Sequence, residues 1–364
     1  MLTYSDYFSH IEAKNTYFAG ANTPDGFMGD YKHLFSEDGF EKVYIVKGGS
    51  GTGKSTLIRR CMDEGEALGG RVTKILCSSD PDSLDGVIIE KGSIRIAVID
   101  GTAPHTNDPE YAGACGEIVN CGDHWNSSML EERKEEIALL VNKKRTAYSR
   151  AYKFLQSLYE ITSIQQGLLL YYLDNDKMQG AIDRLCRPLG TGKGKKGEIQ
   201  RRRTMAISMK GAVRVTSFEE AEHIFSVKDC GFLSPLFFDK LICALQMTGC
   251  DICISLSPVY GIGEIYIPEK KTAFVPYREG REYEKSINLC RFINKELMGE
   301  VKQKISFSAK CYKAMMEGSL ENLREAGNYH FALEKIYKEA MDFKGVDQLS
   351  RELSADIRKR LSRE

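Results

Sequence analysis

A continuous apolar run, Val43-Tyr-Ile-Val46, passes directly into Lys47-Gly-Gly-Ser-Gly-Thr-Gly-Lys-Ser-Thr56. The spacing Gly48-x-x-x-x-Gly53-Lys54-Ser55 is a complete phosphate-loop pattern, and Ser55–Leu68 can continue from it as a helix. A strand apolar on both faces needs cover on both sides, so Glu41–Lys47 predicts an α/β layer with a parallel sheet. The loop chemistry is specific. Consecutive backbone N–H groups form a concave donor nest, and glycines supply the required dihedrals. A helix N-terminus adds unpaired donors and positive dipole character. Gly48, Gly49, Ser50, Gly51, Thr52, Gly53, Lys54, Ser55 and Thr56 are therefore expected to cradle a nucleoside triphosphate, ATP with Mg2+. Lys54 would reach the β and γ phosphates, Ser55 would ligate the metal, and Thr56 would lie near the α phosphate.

A second apolar run, Ile94–Ile99, ends at Asp100. A carboxylate carried to the sheet edge in this way is the expected partner of Ser55 at Mg2+, although Asp100-Gly101 also reads as a strand-ending turn. Candidates for activating a nucleophile are Asp80 and Asp82, in the loop after the strand Val72–Leu76, and His105, in Asp100-Gly-Thr-Ala-Pro-His105. Asp85, Asp108 and Glu117 are weaker candidates. Asp, Ser and Pro are also ordinary loop formers, and a loop histidine is commonly a hydrogen-bonding residue, so a structural role stays open for each.

Formal charge is balanced, with 51 basic and 51 acidic residues, which offers no whole-chain excess for nucleic acid. The start of the sequence has no basic-then-apolar pattern, and the longest apolar run, Gly167–Leu173, is far too short to span a bilayer. A soluble cytoplasmic protein with reduced thiols is expected from this and from its odd count of 11 cysteines. Cys250-Asp-Ile-Cys253 has metal-like spacing but sits in a strand-like run with no second ligand pair, so buried thiols are the simpler reading.

Five regions are expected: a P-loop domain over 1–126, a helical arm over 127–186, a basic flexible linker over 187–203, a degenerate P-loop-like domain over 204–279, and a C-terminal helical arm over 280–364. The second half replays the first. Gly70–Cys77 parallels Gly249–Leu256, Gly86–Lys91 parallels Gly263–Lys270, and Ile96–Asp100 parallels Ala273–Tyr277. Phe27–Phe35 and the stretch ending His223-Ile-Phe225 read as equivalent helices. The second copy lacks Gly-Lys-Ser/Thr and a strand-end carboxylate, so one nucleotide site is expected. Lys193, Lys195, Lys196 and Arg201–Arg203 can close over phosphates, contact nucleic acid, or simply be solvated.

Phe18–Phe27, Val46–Thr56, Ser79-Asp-Pro-Asp-Ser-Leu-Asp-Gly86 and Ile99–His105, with the degenerate repeat, resemble a Firmicutes-type family of uncharacterised bacterial ATPases built from tandem P-loop halves. The resemblance spans most of the chain. It implies a duplicated P-loop fold and an ATPase label without an assigned substrate. Some members keep a second phosphate loop, and this sequence departs from them there. Three functions follow as expectations: Mg2+-dependent ATP hydrolysis coupled to movement of the arms or of a protein partner; a kinase acting on a small molecule or nucleotide; and a low-turnover nucleotide-dependent binding module.

Overall fold

The computed structural model describes residues 7–103, 107–190, 195–294, 299 and 302–363. The first half runs β1 (Phe8–Ile11), β2 (Thr16–Phe18), β3 (Gly20–Thr23), β4 (Gly26–Gly29), α1 (Tyr31–Leu34), β5 (Lys42–Lys47), α2 (Lys54–Ala67), β6 (Arg71–Leu76), β7 (Leu84–Lys91), β8 (Ile94–Asp100) and β9 (Gly116–Asn120). Helices α3 (Ser127–Glu132), α4 (Lys134–Leu170) and α5 (Asn175–Cys186) follow. Six strands form one sheet in the order β2-β6-β7-β8-β5-β9. The apolar runs of β5 and β8 are buried on both faces, and α2 turns Leu57, Ile58, Cys61 and Met62 onto the sheet at helical spacing.

The sheet is mixed rather than parallel, because β7 runs antiparallel to both β6 and β8. Only Gly92 and Ser93 separate β7 from β8, which is a hairpin length and far too short for a crossover. Phe27–Phe35 is likewise not one helix. Phe27 lies in β4, which pairs with β3, and only Tyr31–Leu34 is helical.

The second half contains β10 (Ile199–Arg202), β11 (Met205–Ser208), β12 (Gly211–Val215), β13 (His223–Lys228), α6 (Ser234–Met247), β14 (Ile252–Leu256), β15 (Ile262–Ile267), β16 (Thr272–Pro276) and β17 (Lys285–Asn288). Helices α7 (Lys302–Ala340) and α8 (Phe343–Leu361) complete it. Its sheet order, β10-β14-β15-β16-β13-β17, repeats the first strand for strand. The duplication is therefore a property of the fold, but with a corrected register. His223–Phe225 opens β13, the counterpart of β5, and does not end a helix. Part of the expected linker is also sheet. β10 pairs with β14, and buried Arg203 places Nε 2.6 Å from Asp30. Lys193 lies outside the described residues.

The helical arms are exchanged between the halves. Helix α5 of the first half buries Met178, Ile182 and Cys186 against α6 of the second. Helix α8 of the second half buries Val346, Leu353, Ile357 and Leu361 against α2 of the first. Each such apolar side chain contributes about 1.5–3 kcal/mol by leaving water. Helices α4 and α7 run antiparallel between these ends, with Arg133 Nη1 2.7 Å from Glu339 and Arg150 Nε 2.7 Å from Asn322. The crossings obey a pseudo-twofold. Asn126 N donates to Ala340 O at 2.8 Å, and Asn294 N donates to Tyr172 O at 3.0 Å. Bridges Trp125–Met341 and Leu173–Ile293 repeat the same relation. The halves also share a sheet, β1-β12-β11, with β1 parallel to β12. Behind it Arg214, 1% exposed, is ion-paired with Glu219 and with Glu264, which is fully buried.

Two thiols depart from the reduced state expected. Cys230 and Cys290 form a disulfide, their Cα atoms 5.2 Å apart. Cys250 and Cys253 are free and buried, and no metal-holding cluster occurs among the described residues. No helix among these residues is long and apolar enough to cross a membrane.

Candidate functional site

The loop leaves β5 at Lys47 and enters α2 at Lys54. Gly51 and Gly53 take positive φ values of 74° and 89°, and Gly53 caps the helix with no side-chain hydrogen bond, so first-turn N–H groups face the loop concavity uncapped. Strand register sets Val46 opposite Asp100, which brings the end of β8 to the root of the loop. Lys54 Nζ donates to Gly49 O at 2.7 Å and Gly48 O at 3.1 Å and lies 3.7 Å from Asp100 Oδ2. The other Asp100 oxygen accepts Thr102 N at 2.8 Å, and the Thr102 hydroxyl donates to Gly48 O at 2.8 Å. Thr52 is buried and donates to Gly49 O at 2.9 Å. Ser55 Oγ accepts Leu84 N at 2.9 Å.

A cavity of about 610 Å3 opens over the loop, and it holds Ser50 through Thr56, Asp80, Asp85 and Asp100 in its wall. The sequence candidates divide clearly. Asp80 is held by Lys210 Nζ at 2.6 Å, and exposed Asp82 pairs with the same ammonium. Lys210 stands on the β11–β12 turn of the second half, so the first site is braced across the pseudo-twofold; Met209 N also donates to Ser79 O at 3.0 Å. Asp82 does not line the cavity. Asp85 does, and it is buried, accepting the Tyr31 hydroxyl at 3.0 Å. It stands one residue beyond the Gly86–Ile99 pair, adjacent to Asp100 at the same sheet edge. Burial, with Asp85 next, pushes the Tyr31 hydroxyl and the neighbouring Cys77 thiol far up. Asp108 is bound to Lys47 at 2.9 Å and Glu117 to Lys42 at 2.7 Å, and neither lines the cavity. His105 lies outside the described residues.

Another part of the wall comes from the arms, whose residues the sequence did not single out. Lys144, Arg145 and Tyr148 reach it from α4, and His330, Glu334 and Lys338 from α7. No sequence signal marks these residues, because lysine and glutamate are common on long helices and only the packing of the arms brings them here. Among the described residues the basic segment contributes nothing to this wall. Helices α7 and α8 press directly on the loop. A Cβ on Gly49 would stand 3.1 Å from the Tyr337 ring, and one on Gly53 3.3 Å from Val346 Cγ1. The Glu334 carboxyl is held down at about 2, first by the hydrogen bond from His330 and then by Lys338, whose Nζ is 2.8 Å away.

The equivalent place in the second half is filled. Strand β13 ends at Lys228 and α6 begins at Ser234. Between them the Asp229 carboxylate accepts Phe232 N at 2.9 Å and Ser234 N at 2.8 Å, so an internal carboxylate occupies backbone donors of the kind that the first loop leaves open. Gly231 lies against Leu169 and Gln165 of α4. Pro276 opposes Val227 just as Asp100 opposes Val46. The remaining space is about 30 Å3. The chain matches no protein-family model, no curated protein and no solved structure.

Proposed function

We propose that the first half binds ATP with Mg2+ and hydrolyses it, and that α7 and α8 convey the state of the loop to the rest of the molecule. The reading is carried by one arrangement: uncapped helix donors, Lys54 and Asp100 converge on an open cavity, and the same loop rests on an exchanged helix. Lys54, now bonded to loop carbonyls, is placed to exchange these for phosphate oxygens. Backbone N–H groups of residues 49–54 orient the phosphates. Ser55 and Asp100 are hard oxygen donors suited to Mg2+, which when bound neutralises charge on the terminal phosphates. Asp85, beside Asp100 and buried, is better placed than Asp80 or Asp82 to orient water, since Lys210 occupies both of those carboxylates. The proposal therefore gives Asp85 this role in preference to Asp80, which also lines the cavity, and Asp82, which does not.

One observation favours a kinase as the second reading. The cavity continues past the loop to Asn22, Tyr148 and Tyr152, leaving room for an acceptor. Following the γ phosphate of labelled ATP separates the two. Release as inorganic phosphate by the purified chain, abolished in Lys54→Ala, supports hydrolysis. Label appearing on a metabolite from cell extract, with negligible free phosphate, contradicts it.

A further inference from the structure

We propose that Lys144 of α4 is a second cation for the terminal phosphate of the bound triphosphate, delivered to the first loop by the helix that crosses between the halves; this deepens, and rests on, the nucleotide reading above. Position comes first. Lys144, Tyr148 and Tyr152 follow at four-residue spacing on one helix face, and all three line the cavity. The Tyr148 hydroxyl donates to Ser79 Oγ at 3.1 Å, and the Tyr152 hydroxyl donates to Asn22 Oδ1 at 3.0 Å. These bonds aim that face at the carboxyl edge of the sheet. Lys144 is one turn further toward the N-terminus of α4 and lines the same cavity as the loop residues Ser50–Thr56 and Ser79, the space in which the terminal phosphate of a triphosphate held by that loop would lie.

Charge comes second. Lys54 sits by Asp100, Lys210 by Asp80 and Asp82, and Lys338 by Glu334. Lys144 makes no hydrogen bond or ion pair among the described residues, yet burial alone pulls its ammonium down from the usual range. Withdrawing a cation from water without a counter-charge is unfavourable. A phosphate in the cavity removes that penalty.

The pseudo-twofold supplies an internal control. The relation that carries Asn126 onto Asn294 and Tyr172 onto Ala340 carries Lys144 onto Tyr312. Tyr312 is buried, its ring centroid 4.8 Å from that of Phe232 in the filled loop. The helix position facing an open loop is lysine, and the position facing a filled loop is an aromatic that packs.

The test is the affinity of the whole chain for Mg-ATP and Mg-ADP, measured for wild type, Lys144→Ala, Lys144→Arg and Lys54→Ala. A charge-assisted contact to one phosphate predicts about a tenfold or greater loss of ATP affinity in Lys144→Ala, with ADP affinity changed less than about twofold and most of the loss restored in Lys144→Arg. An unchanged ATP-to-ADP ratio in Lys144→Ala overturns the proposal, as does equal loss of both nucleotides. If wild type binds ATP and Lys54→Ala does not, the nucleotide reading stands whatever Lys144 does. If wild type binds neither nucleotide, both fail.

Discussion

Gly51 of the first loop rests on the main chain of Glu334 in α7: a Cβ built on Gly51 would lie 2.6 Å from the Glu334 carbonyl oxygen. The outer side of the loop is covered here by the arm of the other half. Any shift of the loop on filling must be taken up by α7, or by α8, which is anchored on α2.

Gly51→Ala tests that contact. The added methyl meets fixed backbone and also sits at φ 74°, a conformation that L side chains rarely adopt. The expected cost is about 1–3 kcal/mol in urea unfolding, together with weakened ATP binding. An unchanged unfolding midpoint would show that loop and arm are not in firm contact.

Asp229→Ala addresses the filled loop. Removal of the carboxylate strips partners from Phe232 N and Ser234 N, and buried N–H groups without acceptors cost about 1–3 kcal/mol. Stability should fall by that order while ATP affinity stays as in wild type, because the proposed nucleotide site is in the other half. A large change in ATP affinity would instead mean that the second loop takes part in binding.

The junction of the halves should be sensitive to acid through His10 in β1. Burial, then Arg214 and Arg278, lower its pKa from 6.5 to about 4. The unfolded chain therefore takes up a proton between pH 6.5 and 4 that the folded chain refuses, and the stabilisation from a neutral His10 is lost as pH falls through that window. Unfolding free energies at pH 7.0 and 4.5 should differ more in wild type than in His10→Gln. Identical pH slopes would remove His10 from this account.

What was legible in the sequence was local. Val43–Val46, the glycine spacing and the periodicity of α2 all act within one strand–loop–helix unit, and the structure reproduces that unit within a residue or two. The repeat was legible as a pattern, but its register was not. His33-Leu-Phe35 and His223-Ile-Phe225 look alike yet end a helical turn and open a strand, because long-range pairing with β16 and β17 decides the second. Phe27, Tyr31, Leu34 and Phe35 have helical spacing, but Gly29 and the pairing with β3 draw Phe27 into a hairpin. Exchange of the arms left no local trace. Lys144, Glu334 and Lys338 were therefore invisible as residues of the cavity wall, as was the ion pairing of Lys210 with Asp80 and Asp82.

The central claim is one open phosphate loop and one filled loop in a single chain. Calorimetric titration of the chain with Mg-ATP measures this directly. The account predicts one nucleotide bound per chain, with binding lost in Lys54→Ala and retained in Asp229→Ala. Two nucleotides per chain, or none at millimolar ATP with Mg2+ present, would contradict it.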